Sequence, residues 1–290
     1  MNRNGKAYWN DDIAARYKWM GPPLRPSPEH IQFLETAVAG LAAQGSGGAA
    51  QAGGLAAQAG ERVFKALLLG VTPDIVGMRW PENLLLIGMD NSWPMVHSLW
   101  AGSVPGRRSV VCGDWLAPSL PAGSIDLAVG DGSVNCLRSC DEVHRMAANV
   151  SSLLKRRAAC FLRCYVQPPV KEQPRQVFDA MQAGEISSCH HFRLRLSMAV
   201  QDDALRGVSL AEVHRHWASR GQPARLPSGP GWEKPAVDLI EFYANSETRY
   251  WFPALIQLRQ ILQHYFEEEA IHFGSGELAE RCPTLVLRTR

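Results

Sequence analysis

The chain has 290 residues, which is enough to bury a full core in one large domain or in one domain with a sizeable insertion. Hydrophobic residues make up 46% of it and charged residues 20%, as in an ordinary globular protein. The formal net charge is only +2, so electrostatics gives no reason to propose nucleic acid or an anionic membrane as the main partner.

The N-terminal sequence MNRNGKAYWNDD is polar and charged, unlike a signal peptide. No apolar run approaches the roughly 18 residues of a membrane span. The seven cysteines are an odd number, and several lie in apolar runs, which favours reduced and buried thiols. We therefore expect a cytoplasmic protein with no membrane partner.

Two groups of cysteine and histidine residues invite interpretation as metal sites. Cys136 is followed by Cys140, and Cys189 directly precedes His190 and His191. No second pair at zinc-site spacing accompanies either group. We therefore expect no metal site.

Residues 1–62 are predicted to form a helical cap followed by an Ala/Gly-rich connector. A short aromatic helix over 13–19 precedes a Pro-rich turn. A second helix begins at 27–29, where serine suits the N-cap, proline the first helical position and glutamate the first turn. Residues 39–60 are almost entirely Ala, Gly, Gln and Ser, which predicts a frayed helix or a mobile connector without chemistry.

Residues 63–169 are predicted to form a cofactor-binding core. Continuous apolar runs separated by crossover segments indicate parallel strands buried on both faces. A helical pattern over 140–156 precedes the last of them. The predicted strands are 63–70, 83–90, 108–114, 124–131 and 157–166.

Residues 170–262 contain helical patterns and a Pro/Gly-rich turn region, and we expect them to form a substrate cap. Within them Arg193 and Arg195 alternate with leucine, which is typical of an amphipathic element with snorkelling arginines. Residues 263–290 hold two short strand patterns, 268–273 and 283–288. The segment GSGELAE between them predicts a terminal hairpin.

Glycine and aspartate mark the ends of four predicted strands, where open α/β sheets bind their ligands. These ends read Gly70, Asp90, Gly113-Asp114-Trp115 and Gly130-Asp131-Gly132. Asp90 follows Gly70 at the interval that lets an acidic side chain accept both hydroxyls of a ribose. Each residue alone is more often a turn or cap residue, but their order along the chain indicates a nucleoside-containing cofactor.

The first strand end, LLLGVTPD over 67–74, lacks the later glycines of a dinucleotide-binding loop. Thr72 suits an N-cap, Pro73 the first helical position and Asp74 the positive end of the helix dipole. A pyrophosphate needs the missing glycines, because its oxygens take several backbone N–H groups at close range. The pattern therefore counts against a nicotinamide dinucleotide.

Three successive segments, LLLGVTPD, LIGMDNSWPMV and VVCGDWLAPSLPAGSIDLAVGDGSVNCL, resemble the core of class I S-adenosylmethionine-dependent methyltransferases. The resemblance is to a bacterial small-molecule type with a degenerate first motif, and it covers 63–166 and the terminal hairpin. It implies a three-layer α/β Rossmann-like sheet of seven strands, the last antiparallel, with a helical insertion. It also implies S-adenosyl-L-methionine as cofactor and in-line methyl transfer to a small-molecule acceptor.

The resemblance assigns the ribose to Asp90 and the adenine to Asp114 and Trp115. The remaining contacts would come from small and polar residues at the same strand ends. The implied cofactor set is Gly70, Thr72, Asp90, Asn91, Ser92, Met95, Gly113, Asp114, Trp115, Gly130 and Gly132.

The degenerate first motif raises the question of what holds the methionine end. We hypothesise that the Pro-stiffened N-terminal segment folds over the site. Tyr17 and Arg25 would then lie near the cofactor, with Arg25 pairing with its carboxylate. A surface clasp is the alternative role for this segment.

Methyl transfer needs alignment and water exclusion, and a base only if the nucleophile must lose a proton. The candidate catalytic residues are Asp131, Asn135 and His191, while Tyr243 and Tyr250 could also reach over the site. The acceptor is expected to be a small metabolite rather than a nucleic acid, and a homodimer is left open. Three alternatives also stay open: non-methyl chemistry with the same cofactor, a nicotinamide-dependent oxidoreductase, and a non-catalytic cofactor-binding protein.

Overall fold

Apolar strands form the centre of the fold. The computed structural model describes residues 8–47, 63–219 and 226–290. The described residues form nine strands: β1 Phe64–Leu69, β2 Leu84–Asp90, β3 Arg108–Cys112, β4 Ile125–Asp131, β5 Leu154–Arg163, β6 Val208–Ser209, β7 Arg249–Tyr250, β8 Phe266–His272 and β9 Thr284–Thr289.

Seven of these strands form one sheet in the order β3-β2-β1-β4-β5-β9-β8. The strands β1 to β5 are parallel to one another, whereas β9 runs antiparallel to both of its neighbours, β5 and β8. This is the seven-stranded Rossmann-like sheet of the methyltransferase fold, and it confirms the predicted fold class. The separate strands β6 and β7 form a small antiparallel pair.

Ten helices and four 3₁₀ segments accompany the strands in the described part of the chain. The helices are α1 Asp11–Arg16, α2 Pro28–Gly47, α3 Pro73–Val76, α4 Trp93–Leu99, α5 Cys140–Leu153, α6 Pro174–Gln182, α7 Cys189–Val200, α8 Leu210–Ser219, α9 Lys234–Val237 and α10 Leu255–Leu262. None of the helices in these ranges is long and apolar enough to span a membrane.

Helices cover both faces of the sheet. On one face Leu34 and Val38 of α2 pack with the buried side chains of β1 and β2. On the other face Val143 of α5 and Leu258 of α10 pack with β4 and β5. Burial on both faces explains why the central strands read as continuous apolar runs rather than as alternating patterns.

A third apolar cluster joins the N-terminal segment to helices α6 to α9. Ile13 of α1 belongs to it, together with Phe192 of α7 and Trp217 of α8. Helix α10 instead packs against α5 in the helical layer of the sheet. Residues 170–262 thus contribute helices α6 to α9 to the cap and helix α10 to the helical layer on the sheet. The division of the chain into four parts stays a prediction.

The termini of several elements differ from the sequence expectations for local reasons. The 13–19 helix is split into α1 and a 3₁₀ turn over Tyr17–Trp19, and the Asn10 side chain caps α1 by accepting from the Ile13 N–H. Ser27 caps α2 as predicted, since its hydroxyl accepts from the His30 N–H. Strand β5 starts at Leu154, directly after α5. The part of 39–60 that follows α2 lies outside the described residues.

Thr72 lies at the N-cap of α3, as predicted, but its side chain does not cap the helix. Its hydroxyl makes no capping hydrogen bond, and only its carbonyl accepts from the first backbone N–H groups of α3. Helix α3 is a single turn of four residues, with Pro73 at its start. The first strand is therefore followed by a short turn and not by the firmly capped helix that the sequence suggested.

Candidate functional site

A cavity of about 520 Å³ lies at the carboxyl ends of the parallel strands, beneath the N-terminal segment and the cap. Ligand pockets in proteins typically measure roughly 300–1,000 Å³. Its walls come from three parts of the chain. Representative lining residues are Gly70, Asp90, Trp115 and Asp131 from the strand ends, Tyr8, Trp9 and Tyr17 from the N-terminal segment, and Arg193, Tyr243, Tyr250 and Phe252 from the cap.

Asp90, at the end of β2, presents a carboxylate to this cavity. Its Oδ1 accepts from the Ser92 N–H at 2.8 Å. Burial raises the pKa of Asp90 to about 6, although the Ser92 hydrogen bond opposes the rise. A carboxylate held on one oxygen keeps the other free to accept hydroxyl groups from a ligand.

Gly70 and Trp115 flank this carboxylate. Gly70 has a φ of +112°, a backbone conformation that residues other than glycine rarely adopt. A Cβ on Gly70 would lie 3.8 Å from Oδ2 of Asp90 and 4.0 Å from the Trp115 ring. The indole is fixed by its Nε1, which donates to the Met89 carbonyl at 2.7 Å. The three residues thus enclose a space. On one side the Asp90 carboxylate can accept hydrogen bonds from hydroxyl groups, and on the other side the Trp115 ring forms a flat aromatic wall.

The neighbouring predicted residues Asn91, Met95 and Asp114 also line the cavity. Asp114 is exposed, and its Oδ1 accepts from the Leu116 N–H at 2.8 Å in a local turn. Asp114 thus lines the cavity from an exposed position.

Tyr17 lines the cavity, whereas Arg25 lies behind it. The Arg25 guanidinium donates to both carboxylate oxygens of Asp74, at 3.0 and 2.7 Å, and its centre lies 4.9 Å from the centroid of the Tyr17 ring. Burial opposes the charge on Arg25, but Asp74 raises the pKa of the guanidinium. The positive charge that we expected at the methionine end is therefore already paired within the protein.

Asp131, at the end of β4, forms a buried ion pair with Arg163 of β5, and their side chains are only 4% and 5% exposed. Burial opposes the charge on Arg163, but the Asp131 carboxylate raises the pKa of the guanidinium. Arg163 also donates to the Pro23 carbonyl at 3.0 Å and to the Tyr165 hydroxyl at 3.1 Å. This network ties the N-terminal loop to the sheet, so the Asp131 carboxylate is largely occupied by structural contacts.

Asn135 has a similar positioning role. Its Nδ2 donates to the carbonyls of Tyr165 and Trp251, at 2.7 and 2.8 Å, and its Oδ1 accepts from the Tyr165 N–H at 2.8 Å. All its polar atoms are engaged with the backbone. Asn135 therefore joins the end of β5 to the cap and leaves no group for proton transfer.

Four other predicted site residues lie outside the cavity wall. Ser92 caps α4, and its hydroxyl donates to the Trp9 carbonyl at 2.8 Å. Gly113 packs on Met89, and Gly130 packs against the side chains of the adjacent strands. His191 lies at the start of α7, where its Nδ1 contacts the hydroxyl of Ser188 at 2.7 Å. Gly132, by contrast, does line the cavity, and it has a φ of +63°.

The sequence reasoning missed several lining residues, among them Tyr8, Trp9 and Arg193. Arg193 is 2% exposed, so the expectation of a snorkelling arginine is wrong for this residue. It is held by contacts with Tyr8 and Tyr243, far away in sequence. The available signal was the helical spacing of Arg193 and Ser197, which places both on the cavity side of α7.

Comparisons with known proteins agree with the fold. No protein-family model matches the chain, and no curated protein sequence matches it. The CcbJ methyltransferase from Streptomyces caelestis is 14% identical, with a TM-score of 0.54 over 98% of this chain and 99% of that one. A structure from Rhodobacter sphaeroides described as a putative zinc-dependent alcohol dehydrogenase is 15% identical, with a TM-score of 0.57 over 97% and 99%. At these identities the two structures show the fold alone.

No group of three or more His, Cys, Asp or Glu side chains within 8–47, 63–219 and 226–290 is arranged to hold a metal ion.

Proposed function

We propose that the protein is an S-adenosylmethionine-dependent methyltransferase that acts on a small molecule. The observation that carries the proposal is the space enclosed by Asp90, Gly70 and Trp115 at the strand ends of a methyltransferase-type sheet. A ribose needs an acceptor for its two hydroxyl groups, which Asp90 offers, and an adenine needs a flat wall, which Trp115 offers.

The residues fit this cofactor better than a dinucleotide. Asp90 would accept from the two ribose hydroxyls, and Trp115 would cover the adenine beside Asp114. Only Gly70 precedes the single-turn helix α3, so the strand end offers no glycine-rich cradle of N–H groups for a pyrophosphate. A sulfonium cofactor carries no phosphate and does not need that cradle.

The bound cofactor would supply an electrophilic methyl group on its sulfonium sulfur. The residues of this chain would orient the acceptor and exclude water. Tyr8, Tyr250 and Phe252 roof the cavity with largely apolar surface, which suits water exclusion. Asp131 stays a candidate site residue as the carboxylate nearest the predicted sulfonium region. Its ion pair with Arg163 supports a positioning role rather than that of a base.

A small-molecule acceptor is part of the proposal, because the cavity is roofed by the N-terminal segment and the cap rather than open as a long groove. Two further proposals rest on composition and charge alone. They are that the protein binds no nucleic acid and that it acts in the cytoplasm. A homodimer remains the proposed alternative to a monomer.

Calorimetric titration of the purified protein with S-adenosylmethionine, S-adenosylhomocysteine and NADPH tests the cofactor assignment. We expect binding of the first two only, and its loss in Asp90→Ala. The matched control is Glu267→Ala, which removes an exposed carboxylate of β8 far from the cavity. Binding of NADPH, or unchanged binding by Asp90→Ala, would overturn the proposal.

Mass spectrometry of the product separates the remaining alternatives. Incubation with S-adenosylmethionine and a pool of small metabolites should release S-adenosylhomocysteine, and only when the pool is present. A different cleavage product of the cofactor would indicate non-methyl chemistry. Tight binding with no product from any pool would indicate a cofactor-binding protein without turnover.

A further inference from the structure

Arg193 lies in the middle of α7, is 2% exposed and lines the cavity from the cap side. Its Nη2 donates to the hydroxyls of Tyr8 and Tyr243, at 2.9 and 2.8 Å, and its Nε donates to the Tyr243 hydroxyl at 3.3 Å. Its guanidinium centre also lies 5.0 Å from the centroid of the Tyr243 ring. Two phenols therefore hold this cation in place without neutralising it.

Four other buried or half-buried arginines differ in this respect. Each of them pairs with a carboxylate: Arg25 with Asp74, Arg163 with Asp131, and both Arg195 and Arg281 with Glu172.

Arg193 has no such partner among the described residues, and its Nη1 is buried without any hydrogen bond to them. A guanidinium does not lose its proton inside a protein, and a buried charge without a counter-charge costs several kcal/mol. The pocket is therefore incomplete until an anion enters it. A carboxylate matches the planar fork of donors that a guanidinium presents.

The walls around Arg193 are aromatic. The Tyr8 ring packs edge-on against Trp9 and Tyr243, with centroids 5.0 and 5.1 Å apart. Tyr250 lies 6.5 Å from Tyr8, and Phe252 packs edge-on against Tyr250 at 6.3 Å. Burial raises the pKa of Tyr8, so its phenol stays neutral and can donate to an oxyanion as well as accept from Arg193. These walls favour an anion with a flat, apolar body.

We propose that Arg193, with Tyr8 and Tyr243, binds the carboxylate of the methyl acceptor, which makes the acceptor class small aromatic carboxylic acids. This inference rests on the proposed function, because it assigns the strand-end wall of the cavity to the cofactor. A carboxylate is also present on the methionine end of the cofactor. Arg193 is assigned to the acceptor because the cap and the N-terminal segment, and not the strand ends, build its pocket.

The test uses benzoate and phenylacetate as probes, with benzamide and phenylacetamide as neutral counterparts of the same shape. Each is titrated calorimetrically into the full-length protein, with and without S-adenosylhomocysteine. The acids should bind at least about tenfold more tightly than the amides, because only the acids form charge-assisted hydrogen bonds with the guanidinium. Equal binding of acids and amides would overturn the inference.

Arg193→Gln should remove the preference for acids, while Arg195→Gln should keep it. The second variant is a matched control on the same helix, because Arg195 pairs with Glu172 and does not line the cavity. The double variant Tyr8→Phe and Tyr243→Phe keeps both rings and should weaken the acids only. It decides the question if Arg193→Gln does not fold. Acid binding unchanged in both sets would overturn the inference.

Titration of Arg193→Gln with S-adenosylhomocysteine and with adenosine distinguishes the two possible carboxylates. Unchanged affinity for both ligands supports the acceptor. A tenfold loss for S-adenosylhomocysteine with no loss for adenosine would place the cofactor's carboxylate on Arg193 and overturn the inference. If the native protein binds neither ligand, the proposed function fails, but the acid and amide titrations of the cofactor-free protein still report on the Arg193 pocket.

Discussion

Two buried arginines near the cavity, Arg163 and Arg193, differ in how the protein compensates their charge. At the strand ends Arg163 pairs with Asp131 of the adjacent strand, and of the two only Asp131 lines the cavity. In the cap wall Arg193 meets only phenol hydroxyls and keeps one nitrogen without a hydrogen-bond partner in the described chain. The comparison suggests that the first arginine serves the fold and the second serves a ligand.

The same contrast separates two carboxylates of the strand-end wall. Asp131 is compensated by a cation, whereas the Asp90 carboxylate accepts only from the Ser92 N–H among the described residues. Burial raises the pKa of Asp90 to about 6, and it also raises the pKa of Asp131, although Arg163 opposes that rise. Asp90 and Arg193 have no partner of opposite charge among the described residues. They therefore mark the places where we expect ligand groups to bind.

The largest effect is expected at the compensated pair. Asp131→Asn leaves Arg163 buried without a counter-charge and should cost about 3–5 kcal/mol of unfolding free energy. Urea denaturation at pH 7 measures it. The control Asp238→Asn breaks the exposed pair with Lys234 and should cost less than about 1 kcal/mol. A loss at Asp131 as small as the control's would contradict the structural role of the pair.

Asp90→Asn should instead stabilise the cofactor-free protein at high pH. Because the pKa of Asp90 in the folded state is raised, the folded state disfavours its charge, and stability is lost as pH rises from about 4 to about 6. The variant removes that penalty, which we expect to be about 1–3 kcal/mol. Urea unfolding of both proteins at pH 8 and pH 4 should show a gain at pH 8 that disappears at pH 4. A gain of equal size at both values would rule out charge as its cause.

A smaller effect is expected at Gly70. Gly70→Ala forces a side chain into the left-handed region and should cost about 1–2 kcal/mol. Gly102→Ala is the matched control, since Gly102 also has a positive φ and open space around its Cβ position. Both variants should lose stability in thermal unfolding, but only Gly70→Ala should lose affinity for S-adenosylhomocysteine. Equal binding by the two variants would show that no ligand approaches Gly70.

The smallest effect is expected at His191, which lies outside the cavity and bonds to Ser187 and Ser188. His191→Ala should change the affinity for S-adenosylhomocysteine by no more than about twofold, as for surface substitutions within about 0.5 kcal/mol. Calorimetry measures it against the native protein. A tenfold loss would restore His191 to the site.

The strand-end wall could be predicted because its residues follow directly from apolar strands. Asp90 and Trp115 each come at or just after the end of an apolar run, and parallel strands bring such ends together at one edge. The alternation of strands and helices predicted a parallel sheet, whereas the seven strands with the last antiparallel were implied by the resemblance to methyltransferases. The local start of α3 could not be predicted as well, because Thr72 is equally suited to a cap and to a simple turn.

The cap wall could not be predicted because its contacts are distant in sequence. Arg193 lies 185 residues from Tyr8 and 50 from Tyr243. The alternation of arginine and leucine in α7 looks the same for a buried Arg193 as for a snorkelling one. Only the packing of the N-terminal segment on the cap distinguishes them.

The central claim is that Asp90 holds the ribose of S-adenosylmethionine through its charged carboxylate. The most direct test is the affinity for S-adenosylhomocysteine between pH 5 and pH 8, measured calorimetrically for the native protein and Asp90→Asn. The affinity of the native protein should fall as pH drops below about 6, because the free carboxyl then takes up a proton, whereas the variant should bind weakly at every pH. A flat profile for the native protein, or a variant that binds as tightly as the native protein at pH 8, would contradict the claim.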